Sequence, residues 1–249
     1  MKTFWPQELW NEEYAQLDQF SVIDKSDPTR KFLERFLPHI PKGRCLEVGC
    51  FPGRYLAVFG EAGFSLNGVD LTPGVDGRLK QWLVREHFKV QELWNEDFFR
   101  FQPNEKFDLV YSLGFIEHFV NWQEALAKHI TLVKPGGFLL ITTPNFAGFF
   151  QRLLRTLVDR ENVKRHYLPS MRPDLWEKIA RRAGLEIVFS GYFGGFDFWV
   201  RDQRRNFLQE RLLRAIVRRT PDIARVAPEN LRFSSGYCGL VARVPMANG

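Results

Sequence analysis

Between Pro28 and Val133, four short apolar or β-branched runs alternate with helical patterns. The runs are RCLEV (44–48), SLNGVD (65–70), KVQEL (89–93) and KFDLVYS (106–112), each closing on a polar or glycine-rich turn. TRKFLERFLPHI, RYLAVFGEAG, GRLKQWLVREH and WQEALAKHITLV supply the helical periodicity around them. Such alternation leaves few folds open, because parallel strands need long crossover connections and the crossover helices cover both faces of the sheet. Further on, Lys134-Pro-Gly-Gly137 reads as a tight turn into a fifth strand, FLLITTP. DLWEKIARRAG (174–184) reads as a helix closed by glycine, LEIVFSGYF as a sixth strand, and YCGLVARV (237–244) as a seventh returning beside it. The expectation is an α/β chain with a doubly wound, seven-stranded, mostly parallel sheet whose last strand is antiparallel.

Three stretches fall outside this frame and predict helical cap elements over the strand ends: residues 1–25, 145–172 and 194–236 of a single domain spanning 1–249. The first holds a predicted Trp5–Phe20 helix. In the third, Phe207, Leu208, Leu212, Leu213, Ile216 and Val217 recur at helical spacing opposite a rank of arginines. Charge is uneven: residues 1–150 carry 16 Lys+Arg against 19 Asp+Glu, and residues 151–249 carry 19 against 10. A basic second half suits an anionic acceptor, an anionic membrane surface or nucleic acid, and equally a solvated helix face. The opening MKTFWPQELWNEEY has no signal-peptide apolar run and no stretch approaches a membrane span, so a cytoplasmic location is expected. Cys45, Cys50 and Cys238 have no metal-like spacing, which fits a reducing compartment and predicts no metal site.

The loop CLEVGCFPGR (45–54) ends a strand on Glu47 and opens a helix at Gly53, placing backbone N–H groups and a helix N-terminus around a bound group. Gly49 and Gly53 do not have the G-x-G-x-x-G spacing of dinucleotide loops, and a nicotinamide dehydrogenase would have neither NEDFF nor the KPGG turn. The turns behind the loop follow an order of their own: GVD ends the second strand on Asp70, NEDFF follows the third with Asp97, and YSLGFIEHF follows the fourth. Taken together, CLEVGCFPGR, GVD, NEDFF, FDLVYSLGFIEHF and LVKPGGFLLITTPN resemble the class I S-adenosylmethionine-dependent methyltransferases over roughly Pro28 to Asn145. The likeness is strongest to the small-molecule subgroup that includes the ubiquinone-biosynthesis O-methyltransferases. It implies a Rossmann-like fold and S-adenosylmethionine as cofactor. By the same likeness, Glu47, Gly49, Cys50 and Gly53 line the methionine part of the cofactor, Asp70 holds the ribose and Leu71 flanks the adenine. Asp97 and Phe98 meet the adenine edge, while Ser112, Leu113 and Gly114 form the floor beneath the sulfonium. The chain departs from the family where a second glycine is usual and Phe51-Pro52 stands instead. The expectation is a slightly shifted loop with Phe51 turned away; the alternative is impaired cofactor binding.

Each of these residues also has a structural reading. Asp70 and Asp97 can cap the turns that follow them, Glu47 can accept from its own loop, and Cys50 reads as a small loop residue. Glu117 and His118 stand where an acceptor should approach, so His118 is the first candidate base and His166 the second, with helix-to-loop packing the alternative for the Glu117–His118 pair. His39, His87 and His129 are assigned no role. The reading is methyl transfer to oxygen or nitrogen of a small-molecule acceptor, with carbohydrate or lipid-linked intermediates among the options. An RNA-modifying methyltransferase is a second reading, although SLGF replaces the motif that grips a flipped base. A cofactor-binding protein without turnover is a third.

Overall fold

The computed structural model describes residues 3–15, 17, 19–200 and 203–246. Its seven strands are β1 Arg44–Val48, β2 Ser65–Asp70, β3 Val90–Asn95, β4 Phe107–Leu113, β5 Val133–Pro144, β6 Glu186–Phe193 and β7 Tyr237–Arg243. They form one sheet in the order β3-β2-β1-β4-β5-β7-β6. The first five run parallel, and β7 lies antiparallel between β5 and β6. Lys134–Gly137 is not a turn preceding the fifth strand but a bulge inside it: the pairing jumps from Phe107↔Val133 to Leu109↔Phe138, with Gly136 at φ 77°.

Strand parity explains the two cores. Cys45, Leu66, Leu109, Tyr111, Leu140 and Val241 face one side, packed against α2 (Pro28–Phe36), α3 (Arg54–Glu61) and α4 (Lys80–Arg85). Their neighbours Leu46, Val69, Val110, Leu139 and Leu240 face the other, against α5 (Trp122–Thr131) and α8 (Pro173–Arg182). With both faces covered, the central strands are continuously apolar, as their sequences read. The order reverses between β1 and β4, and the crevice outside the C-terminal ends of these strands is where open α/β sheets bind ligands.

The cap is less regular than its sequence suggests. The N-terminal helix α1 covers only Gln7–Ala15, and the residues described from Leu17 to Asp24 are not helical. Residues 145–172 form α6 (Phe149–Val158) and the short α7 (Arg160–Val163), and α9 (Phe207–Val226) fills the connection to β7. Asn206 starts α9 with a capping box, its side chain accepting from the Gln209 N–H at 2.9 Å. Of the apolar stripe expected to bury α9, only Leu213 and Ile216 are buried, in a small cluster with Val158, Phe196 and Phe198. The three cysteines are free and buried. Among the described residues no helix is long and apolar enough to cross a membrane.

Candidate active site

A cleft of about 380 Å³ opens at the strand-order reversal, within the usual size range of small-molecule sites. Gly49 from the β1 turn, Asp70 and Leu71 from β2, Asp97 and Phe98 after β3, and Gly114 and His118 after β4 all line it. Gly49 has φ +73°, and a Cβ there would come within 2.7 Å of the Phe115 ring. Only glycine allows both that backbone and that approach. Gly53, at φ +82°, turns the chain into α3 without lining the cleft, and a Cβ there would lie 2.3 Å from Leu79.

The Asp70 carboxylate organises the loops around it. One oxygen accepts from the Phe51 N–H at 3.0 Å and the other from the Thr72 N–H at 2.8 Å, while burial raises its pKa. Each oxygen keeps a lone pair for a further donor. Asp97 likewise caps its own turn, accepting from the Phe99 N–H at 2.9 Å, and still faces the cleft. The carboxylates thus combine the capping and the lining positions that the sequence offered as alternatives. The Phe51 ring packs edge-on against Tyr14 and Phe20, at 5.1 and 5.7 Å, beneath the N-terminal segment.

Other expected site residues lie behind the lining. Glu47 is buried, accepts from the Tyr111 hydroxyl at 3.3 Å and has a pKa pushed well up by burial. Cys50 packs against Gly68, where any Cβ would meet its sulfur at 2.6 Å, and burial holds its thiol protonated. Ser112 is fully buried with its hydroxyl unpartnered, and Leu113 is half-buried beside it at the end of β4.

Glu117, His118 and His166 converge, with one potential ligand atom from each lying within 4.8 Å of the others. His118 Nδ1 lies 3.0 Å from the Arg165 carbonyl and His166 Nδ1 2.8 Å from that of Asn162. A carbonyl can only accept, so both rings donate through Nδ1 and keep Nε2 basic. Both Glu117 oxygens are buried without partners. Burial raises the Glu117 pKa to about 8, lowers that of His118 to about 4 and takes His166 well below its ordinary value. At neutral pH the cluster is therefore an acid beside two neutral imidazoles. The histidines contribute stability above their ordinary range that is lost as pH falls toward 4. The Glu117 contribution is present at low pH and lost as pH rises through about 8. The donor set could also hold a divalent ion. Residues 117–118 and 166 are too far apart in sequence to show a metal-like spacing.

The N-terminal residues that roof the cleft are ones the sequence analysis does not single out. Thr3 pairs with Phe119, and the Phe4 N–H donates to the His118 carbonyl at 2.7 Å. Trp10 stands edge-on to His118 at 5.1 Å, and Arg165 binds Glu13 at 2.8 Å while lying over the Trp5 ring. The spacing of Trp5, Trp10 and Tyr14 was the only available signal. His129, given no role, is buried at 4.6 Å from Phe98 and braces it from behind.

The electrostatics of the cleft are one-sided. Glu8, Asp70, Glu96 and Asp97 line it, and no lysine or arginine does so among the described residues. Comparison with known proteins gives this arrangement its context: residues 24–189 of the 249 match the family model described as a methyltransferase domain. The chain belongs to the methyltransferase-domain family. The observed residues fit S-adenosylmethionine, the cofactor that the sequence resemblance implies: a net-positive sulfonium compound suits an all-acidic wall, and Asp70 retains the lone pairs to take hydroxyl donors. Relatives are distant. The chain is 30% identical over 107 residues to the Arabidopsis thaliana protein named probable thiol methyltransferase 2, a match covering 41% of this chain and 46% of that one. It is 25% identical over 178 residues to a ubiquinone biosynthesis O-methyltransferase of Thiobacillus denitrificans, covering 68% and 75%. The chain thus spans about half the length of the first relative and three quarters of the second. A SAM-dependent methyltransferase of Archaeoglobus fulgidus shares the fold, with TM-score 0.56 at 19% identity over 95% of this methyltransferase and 99% of that chain.

Proposed function

We propose that this methyltransferase acts on a hydroxyl oxygen of a small, neutral acceptor, with His118 as the base. The observation that carries the reading is the state of His118: its Nδ1–H is tied to the Arg165 carbonyl, and the ring lines the cleft and stays neutral down to about pH 4. A neutral imidazole can take the hydroxyl proton at Nε2 as the oxygen attacks, a need that a hydroxyl has and an already neutral amine does not. Bound S-adenosylmethionine supplies an electrophilic methyl. Asp70 and the Gly49 turn hold it, while Phe115, Phe119 and Trp10 exclude water and fix the approach of the acceptor. The several similar proteins named ubiquinone biosynthesis O-methyltransferase support oxygen as the acceptor atom. The arginines that raised anionic acceptors and RNA lie outside the cleft, so neither is part of this proposal.

The test is His118→Gln, assayed as S-adenosylhomocysteine release with a panel of phenols, catechols and sugars. Turnover should fall about a hundredfold, with calorimetric affinity for S-adenosylhomocysteine within twofold of wild type. The wild-type rate should show an acid limb near pH 4, where His118 gains its proton, and the variant should lack it. An unchanged rate and limb would remove His118 from the chemistry.

A further inference from the structure

The cap leaves much of its apolar surface uncovered. On α6, Phe149 and Phe150 are 61% and 50% exposed, and Leu153 and Leu157 share the same outer face. On α9, Phe207 and Leu208 are 78% and 72% exposed. The two helices are joined: Gln209 Nε2 donates to the Leu157 carbonyl at 3.0 Å, and the Phe150 N–H donates to the carbonyl of Phe233, itself exposed, at 3.1 Å. Exposed apolar side chains thus crowd the outer surface of two adjoining helices. Monomeric soluble proteins seldom leave such a surface without a partner.

Charge identifies the partner. At about 100° per residue, Leu208, Leu212 and Ile223 share one side of α9, and Arg211, Arg214, Arg218 and Arg225 form a row about a third of the way round. Arg211, Arg214 and Arg218 have no ion pair among the described residues, and neither does exposed Arg152 on α6. Phe207, Glu210 and three of these arginines line a shallow surface groove of about 370 Å³ together with Ala215. A strip of exposed apolar side chains bordered by unpaired guanidinium groups matches the boundary between acyl chains and anionic headgroups. No described helix can cross a bilayer, so the fit is to lying on one.

We propose that the outer face of α6 and α9 is a peripheral docking surface for an anionic lipid membrane. The apolar side chains enter the headgroup boundary, and the arginines pair with lipid phosphates. This reading is independent of the acceptor and of His118.

The experiment is vesicle flotation of the whole chain with phosphatidylcholine alone and with phosphatidylcholine/phosphatidylglycerol, at low and physiological salt. Wild type should float with the anionic vesicles at least tenfold more than with the neutral ones, and salt should weaken it. Phe149→Ser/Phe150→Ser and Arg211→Glu/Arg214→Glu/Arg218→Glu should each reduce binding at least tenfold. Unchanged calorimetric affinity for S-adenosylhomocysteine would show both variants folded. Failure of wild type to float, or flotation that survives both variants, overturns the proposal. So does a wild-type dimer in sedimentation that the Phe149/Phe150 variant dissolves, which would assign the face to a second copy.

Discussion

Asp70 and Arg155 are both charged side chains held by the fold, and they are satisfied in opposite ways. Asp70 accepts from the Thr72 N–H of its own turn and from the Phe51 N–H of the turn that the β1–β2 register places beside it. Arg155, on α6, is fully buried and binds Asp159 at 2.9 Å and the Trp199 carbonyl at 2.6 Å. Its guanidinium also lies 3.9, 4.9 and 4.8 Å from the rings of Phe146, Phe198 and Trp199. The cleft floor is thus built from backbone fixed by a sheet. The cap is built from side chains gathered from distant segments around the buried Arg155–Asp159 pair. A floor of the first kind keeps its shape when individual side chains change, whereas a cap of the second kind depends on each partner.

The strongest test of that contrast is Arg155→Leu. It removes the guanidinium that binds the buried Asp159 carboxylate, whose other contacts include Asn162 at 2.9 Å and Arg205 at 3.7 Å. Removing one partner of a buried pair costs about 3–5 kcal/mol, so the midpoint of thermal unfolding should fall by roughly 10 °C for a chain of this size. At a temperature where the variant is folded, S-adenosylhomocysteine affinity should stay within twofold. A loss of affinity matching the loss of stability would show that cap and floor are one unit.

The converse change is Asp70→Ala. Charge-assisted hydrogen bonds contribute about 1.5–3 kcal/mol each, and this carboxylate both shapes the loop and faces the ligand. Titration calorimetry should show at least a tenfold weaker cofactor affinity, with a smaller change in melting temperature than Arg155→Leu. Unchanged affinity would take Asp70 out of the cofactor site and leave it as a turn cap.

This division also explains what could be read from the sequence. Six of the seven strands were legible to within two residues at either end, β1 and β2 at both ends without error, while the start of β5 was hidden by Lys134–Gly137. Strands declare themselves through alternation and the turns that end them, and Gly49, Asp70 and Asp97 follow from where strands end. The cap has no such periodic signal. Nothing local in LLRTLVDR marks Arg155 as a buried centre, because its partners at 198 and 199 come from an irregular segment. Likewise the stripe from Phe207 to Val217 reads as core by periodicity, yet the small cluster beneath it covers only Leu213 and Ile216.

Phe51 sits on the boundary between the two regions, and its replacement should change binding only slightly. Its N–H belongs to the floor, donating to Asp70, while its ring belongs to the roof, packed on Tyr14 and Phe20. Phe51→Gly keeps the N–H, removes the ring and restores the residue usual in the family. If the backbone does the binding, S-adenosylhomocysteine affinity should stay within about threefold of wild type. Stability should drop by roughly 3 kcal/mol for the lost aromatic burial, and protease should cut within residues 3–15 faster once their anchor is gone. A gain of tenfold or more in affinity would mean that the ring closes the cleft against the cofactor. The roof would then restrain the floor directly, and the contrast between a self-sufficient floor and a dependent cap would fail at this residue.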